Sequence, residues 1–332
     1  MTHRRRLALT AALGLVLAAC TGGGGGPTSS GVPSGSAAVA CPTTSEPDPS
    51  SLEAWSPASQ SPTIYPQIIN PSGTLACGPS RFMFSFLDAS NTPVAAPDRT
   101  VELRLFDLGT DPETPVITTD GTFIWAIEDE VGVYVADVDF PSAGLWGAEF
   151  TTEAADAAAE TIRVQFEVQP ESSTVAVGDP APASDTPTLA DVGGDVSRIS
   201  TDAEPVEAFY ETSIADAVAA KEPFVVVFAT PKFCATAQCG PTLDRVKPIA
   251  AAHPDLTFIN VEPYELQDVD GQLQPVLTGD PPQLTPAAAT NEWRLAAEPW
   301  AFVVDKDGII RSSLMLIFGD DELEAAIAEV TD

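Results

Sequence analysis

Two cysteines five positions apart, Cys234 and Cys239, are the residues in this chain best suited to chemistry. A pair so close can form a disulfide, and a disulfide with one stabilised thiolate can exchange with another disulfide. Residues i and i+5 do not share a helix face, so the bond requires a loop between them. Metal chemistry has little to work with. The 332 residues include only two His, three Met and five Cys, so no metal and no cofactor is expected.

The remaining cysteines divide by context. Cys20 follows three arginines (Arg4, Arg5, Arg6) and an uncharged apolar run from Leu7 to Ala19, too short for a bilayer span of about 20 residues. The pattern is that of an export signal. Its end, Leu17-Ala18-Ala19-Cys20, resembles the bacterial lipoprotein lipobox. The resemblance implies cleavage of residues 1–19, lipidation of Cys20 and attachment to the outer face of the cytoplasmic membrane. Residues 20–50 are a Gly-, Ser- and Pro-rich tether. Cys41 and Cys77 lie in an exported, disulfide-permissive setting and are expected to form a structural disulfide worth roughly 3–4 kcal/mol.

Charge narrows the partners. The chain carries 48 Asp and Glu against 15 Lys and Arg, a net charge of -33. Loss of the three signal arginines leaves 12 basic residues and a charge of -36. Nucleic acid is excluded, because it needs clustered Lys and Arg. The acid is read as a solvated, mutually repelling surface. With only four lysines among the basic residues, high-salt adaptation is a second reading.

The elements that must position the cysteines fall into two domains. Residues 51–169 form the first, and from about Arg81 to Gln169 they alternate with period two: Phe82, Phe84 and Phe86 share one face, and Val101, Leu103 and Leu105 another. Further runs follow at 122–128, 131–140, 145–151 and 161–168, separated by Pro, Gly and Asp. This predicts an antiparallel β-sandwich. The segment Phe140-Pro141-Ser142-Ala143-Gly144-Leu145-Trp146 resembles Ig-like extracytoplasmic sandwiches of the YtkA and CopC kind. Residues 170–206 form a linker and lead-in, and 207–332 the second domain.

In that second domain a helical stretch around Ile214 precedes a continuous apolar run, Phe224 to Ala229, suited to a strand buried on both faces. A helix to about His253 follows the cysteines, then a strand at 256–261, an acidic stretch at 262–280 and a short helix near 287–295. A strand at 300–304, a second at 309–318 and a helix capped by Asp320 complete it. Val177-Gly178-Asp179-Pro180-Ala181-Pro182 is similar to the opening of TlpA/ResA-type thioredoxins. Phe233-Cys234 resembles the strand end leading to their Trp-Cys, and Glu298-Pro299-Trp300-Ala301-Phe302 the strand after their cis proline. The resemblance implies an α/β thioredoxin fold, with Pro299 facing a substrate across the cysteines.

Such a protein would be a thiol–disulfide oxidoreductase of the cell envelope. Its partners would be extracytoplasmic thiol or disulfide proteins, or the electron donor of a thiol-redox relay, with the membrane reached by the lipid anchor. Thioredoxins space their cysteines Cys-x-x-Cys, so two alignments compete. Distance from the strand makes Cys234 the attacker and Cys239 the resolver, whereas Cys239-Gly240-Pro241 matches the familiar Cys-Gly-Pro and makes Cys239 first. Val225, Val226 and Val227 supply no buried acid for proton transfer. Three further readings stay open. One is a redox-inactive binding domain stapled by the pair. Another is a peroxidase with Thr230 and Arg294 beside Cys234, and the third a copper-assembly factor using His253.

Overall fold

The alternation that puts Phe82, Phe84 and Phe86 on one face also puts Arg81, Met83 and Ser85 on the other, and the strand that carries them buries both. The computed structural model describes residues 41–155 and 157–331. The expected signal segment, Cys20 and the first part, to residue 40, of the tether expected over residues 20–50 lie outside the described residues. From Cys41 onward the chain packs as one compact unit.

Eight strands form two antiparallel sheets: β1 (Ile64–Ile68), β2 (Gly78–Asp88), β3 (Thr100–Asp107), β4 (Ile117–Asp120), β5 (Thr122–Ile127), β6 (Val131–Phe140), β7 (Gly144–Ala154) and β8 (Ala157–Val168). The sheet orders are β1-β2-β6-β5 and β4-β3-β7-β8. Between them Phe82, Phe84 and Phe86 meet Leu103, Leu105, Trp146 and Phe150, all excluded from solvent, with Phe84 and Phe150 ring centres 4.8 Å apart. The Cys41–Cys77 disulfide is present, its Cα atoms 6.1 Å apart, and ties the lead-in to the start of β2.

The second half begins with α1 (Ile214–Ala220), capped by the Ser213 hydroxyl on the Asp216 N–H. Next come β9 (Phe224–Phe228), α2 (Cys239–Ala252) and β10 (Thr257–Val261). The acidic stretch folds as two antiparallel ribbons, β11 (Leu266–Val269) with β12 (Gln272–Pro275) and β13 (Leu277–Thr278) with β14 (Gln283–Leu284). α3 (Ala288–Glu292), β15 (Trp300–Val304), β16 (Ile310–Met315) and α4 (Asp320–Thr331) complete it. Their sheet runs β10-β9-β15-β16, with only β9 and β10 parallel.

The α/β thioredoxin fold expected for residues 207–332, as half of a two-domain chain with an Ig-like sandwich, is corrected here. The molecule is mostly β, 38% strand against 19% helix, with several antiparallel sheets. The physical reason lies in what covers the sheet. Phe224, Val226 and Phe228 pack into one core with Met83, Val133 and Val135 of the neighbouring β2 and β6, to which Ile214 and Ala217 of α1 and Ala289 of α3 also contribute. Only the opposite face, carrying Val225 and Val227, is covered by Leu243 and Val246 of α2 and Leu323 and Ile327 of α4. α1 and α3 span seven and five residues, too short to form a helical layer.

One side chain joins the two halves of this core. Arg81, on β2, is buried, donating through Nε to Glu322 Oε1 at 2.7 Å and through Nη2 to Glu322 Oε2 at 3.0 Å and the Ile317 carbonyl at 2.7 Å. Glu322 also accepts the Gly319 N–H at 2.8 Å. It thereby closes the first turn of α4, which begins at Asp320, so Asp320 is the first helical residue and not the cap. Replacing Arg81 by Met keeps the stem and strands the carbonyls and the carboxylate. A loss of roughly 2–3 kcal/mol is expected, seen as a lower denaturant midpoint at unchanged slope. An unshifted midpoint contradicts this account of the joint.

Candidate functional site

β9 has no polar residue and is excluded from solvent along its length, so its register is fixed from both sides. Trp300 pairs with Phe228 across to β15. That pairing places the residues just before Trp300 beside those just after Phe228, at the sheet end from which the loop 231–238 departs.

Cys234 and Cys239 are joined as a disulfide, Cα atoms 6.0 Å apart, within the range that a bridge accepts. As the spacing required, a loop carries the bond. Cys239 is the first residue of α2, and Cys234 lies in the loop before it. Ala237 turns that loop in the left-handed region at φ +61°, which costs a non-glycine residue about 1 kcal/mol.

The two sulfurs are not equivalent. Cys239 is fully buried, packed among Val227, Leu243 and Leu323, whereas Cys234 is only half-buried. Cys234 Sγ accepts the Cys239 N–H at 3.3 Å and lies 3.3 Å from the Thr236 hydroxyl. Donors at the start of a helix favour negative charge, so on reduction these groups favour a Cys234 thiolate.

The residue that sequence reasoning missed is Glu298. It is buried, at 5% exposure. Oε1 accepts the Ala235 N–H at 2.9 Å, Oε2 accepts the Tyr264 hydroxyl at 2.8 Å, and its main-chain carbonyl accepts the Thr236 hydroxyl at 2.9 Å. Burial and the adjacent carboxylate push the Tyr264 phenol up, keeping it a donor. A Glu298 oxygen and both sulfurs lie within 4.8 Å of one another. Among the described residues no Lys or Arg pairs with Glu298. The signal was present in Glu298-Pro299-Trp300, where attention went to the proline.

Pro299 is indeed preceded by a cis bond. However, it is buried, and its carbonyl accepts the Leu316 N–H at 2.8 Å. Pro299 directly follows Glu298, the residue whose carboxylate lies against the disulfide. The other candidates have partners of their own. Arg294 donates to the Thr174 carbonyl at 3.2 Å, and Thr230 meets Thr201 at 3.2 Å. His253 caps the far end of α2 and meets Glu324 at 2.7 Å, about 20 Å along the helix from Cys239. Among the described residues no histidine lies at the pair.

A second buried carboxyl sits behind the loop. Glu262 Oε1 accepts the Thr201 N–H at 2.6 Å, while Oε2 is buried without a hydrogen-bond partner. Thr201 in turn accepts the Lys232 N–H at 3.3 Å, two residues before Cys234.

No family model matches the chain, and no curated protein matches it. Among solved structures the chain is similar to a DUF4426 family protein from Pseudomonas aeruginosa PAO1. Identity is 15%, coverage 32% of this chain and 90% of that one, and the TM-score 0.24, too low to carry an argument. Fold and site together define a β-rich protein with a helix-start disulfide backed by a buried carboxylate.

Burial holds the Glu262 carboxyl above its ordinary value of 4.5, against the Thr201 N–H bond that favours ionisation. A folded-state value above the unfolded one contributes stability at low pH and withdraws it as pH rises through the folded value. Glu262→Gln should therefore lose less stability than the wild type on going from pH 4.5 to neutrality, in chemical denaturation at each pH. Parallel curves contradict this reading of Glu262.

Proposed function

We propose that this protein is a thiol–disulfide oxidoreductase of the cell envelope, held to the membrane by lipid on Cys20. The carrying observation is the asymmetry of the pair: a half-exposed Cys234 sulfur receives the first N–H of α2, and a buried Cys239 sulfur sits behind it. That asymmetry supports Cys234 as attacker and Cys239 as resolver.

In the reaction the reduced Cys234 thiolate attacks one sulfur of a substrate disulfide. The substrate's S–S bond breaks, its second sulfur leaves as a thiol after taking a proton, and a mixed disulfide forms. Cys239, deprotonated, then attacks Cys234. The Cys234–Cys239 bond closes, the Cys234–substrate bond breaks, and the first substrate sulfur, the one attacked, leaves reduced. Two electrons pass to the substrate, and a thiol donor returns them. Electrons run the other way when the oxidised pair meets a dithiol. Partners are extracytoplasmic thiol or disulfide proteins, approached through the exposed residues Ala235 to Ala237.

A second reading has its own observation. Cys239 is packed as tightly as a core residue, which favours a bond that merely staples the loop of a binding protein.

Trapping separates the two. Reduced Cys239→Ser, mixed with a disulfide-bonded test protein, is expected to give a covalent adduct that dithiothreitol dissolves, whereas Cys234→Ser gives none. No adduct from either variant, or equal adducts from both, contradicts the proposal.

A further inference from the structure

Oxidised, Cys234 and Cys239 satisfy each other. Reduced, they become two thiols against a buried carboxylate, since one oxygen of Glu298 and both sulfurs lie within 4.8 Å of one another. Cys239 and Glu298 are shielded from water, and the half-buried Cys234 leaves one side open. If all three ionise, three negative charges share a site to which no described Lys or Arg contributes a pairing. Such a group either holds protons or takes up a cation.

From this juxtaposition of Cys234, Cys239 and Glu298 we infer a redox-gated site for a borderline-soft divalent cation, Zn²⁺ being the fitting probe. Thiolates exclude Mg²⁺ and Ca²⁺, which require oxygen donors. Two sulfurs with one carboxylate and an open fourth position suit tetrahedral Zn²⁺. The surroundings are those of a metal ligand. Glu298 is aimed by the Tyr264 hydroxyl and the Ala235 N–H, and such outer partners orient a ligating carboxylate. The net charge of -33 draws cations towards the molecule.

Oxidation is the gate. A dithiol reductant such as dithiothreitol passes two electrons to the disulfide and closes its own. The S–S bond breaks, and each sulfur takes a proton. Zn²⁺ then displaces those two protons into solvent. Reoxidation by a disulfide reverses the sequence and ejects the ion. The site requires only that the pair be reducible, and so stands apart from exchange with protein partners.

The test is competition for Zn²⁺ against a chromophoric chelator, using the whole chain oxidised and reduced. Alkylation with peptide mapping on a parallel sample reports the state of Cys234 and Cys239. One Zn²⁺ per reduced chain and none per oxidised chain is expected. Glu298→Gln should bind at least tenfold more weakly, and Cys239→Ser should bind none at this site. Co²⁺ in place of Zn²⁺ should show thiolate-to-metal charge-transfer absorption in the reduced wild type only. Equal uptake by oxidised and reduced wild type overturns the inference without any variant having to fold. So does a mapped, reduced pair that takes no Zn²⁺, a pair that resists reduction in the folded chain, or a Glu298→Gln variant that binds like the wild type. Failure here with adduct formation by Cys239→Ser intact leaves the oxidoreductase reading standing.

Discussion

A carboxylate buried without a cation must have each oxygen hydrogen-bonded, because leaving one bare costs several kcal/mol. Glu298 meets that demand with the Ala235 N–H from the cysteine loop and the Tyr264 hydroxyl from the segment after β10. Its own main-chain carbonyl takes the Thr236 hydroxyl. Three segments distant in sequence are thus held at one sheet end. The Cys234–Cys239 bond lies where they converge, in a loop fixed by hydrogen bonds as well as by its own covalent closure. None of those three hydrogen bonds runs through a sulfur, so the proposed cycling of the pair does not require them to break.

The scaffold beneath has to be equally unyielding. β2 contributes phenylalanines to one core and Met83 to another, so a slip of one residue would exchange Arg81 and Met83 for aromatic rings. Arg81 then reaches across to Glu322 and the Ile317 carbonyl, fixing the chain between β16 and α4. β16 pairs with β15, and β15 begins two residues after Glu298. Packing in the first half of the chain is therefore connected, strand by strand, to the position of the carboxylate beside the sulfurs.

Much of this was legible in the residues. Period-two phenylalanines gave β2 its face, the uninterrupted run from Phe224 gave β9, and the cysteine spacing required the loop that is found. The two disulfides pair as their positions suggested. What failed was the inference from element order to fold class. Hydrophobic pattern shows that a sheet face is covered, not whether helices or other strands cover it, and here β2 and β6 share with the short α1 and α3 a face that a layered α/β fold gives to helices. The acidic stretch became β-ribbons because its turns close at Gly271 and Gly279, both at positive φ, where a linear reading saw only charge. Glu298 was hidden for a different reason. A single Glu distant in sequence from the cysteines carries no spacing signal, and only strand pairing brings it to them.

The central claim is that Cys234–Cys239 is a bond the protein makes and breaks, in contrast to Cys41–Cys77. The most direct measurement is its reduction midpoint in the folded wild type, read by alkylation and peptide mapping across a series of thiol/disulfide buffers. An exchanging pair should titrate above about -300 mV, with Cys41–Cys77 still oxidised at that point. A Cys234–Cys239 midpoint below that value, together with Cys41–Cys77, would make both bonds structural and contradict the account.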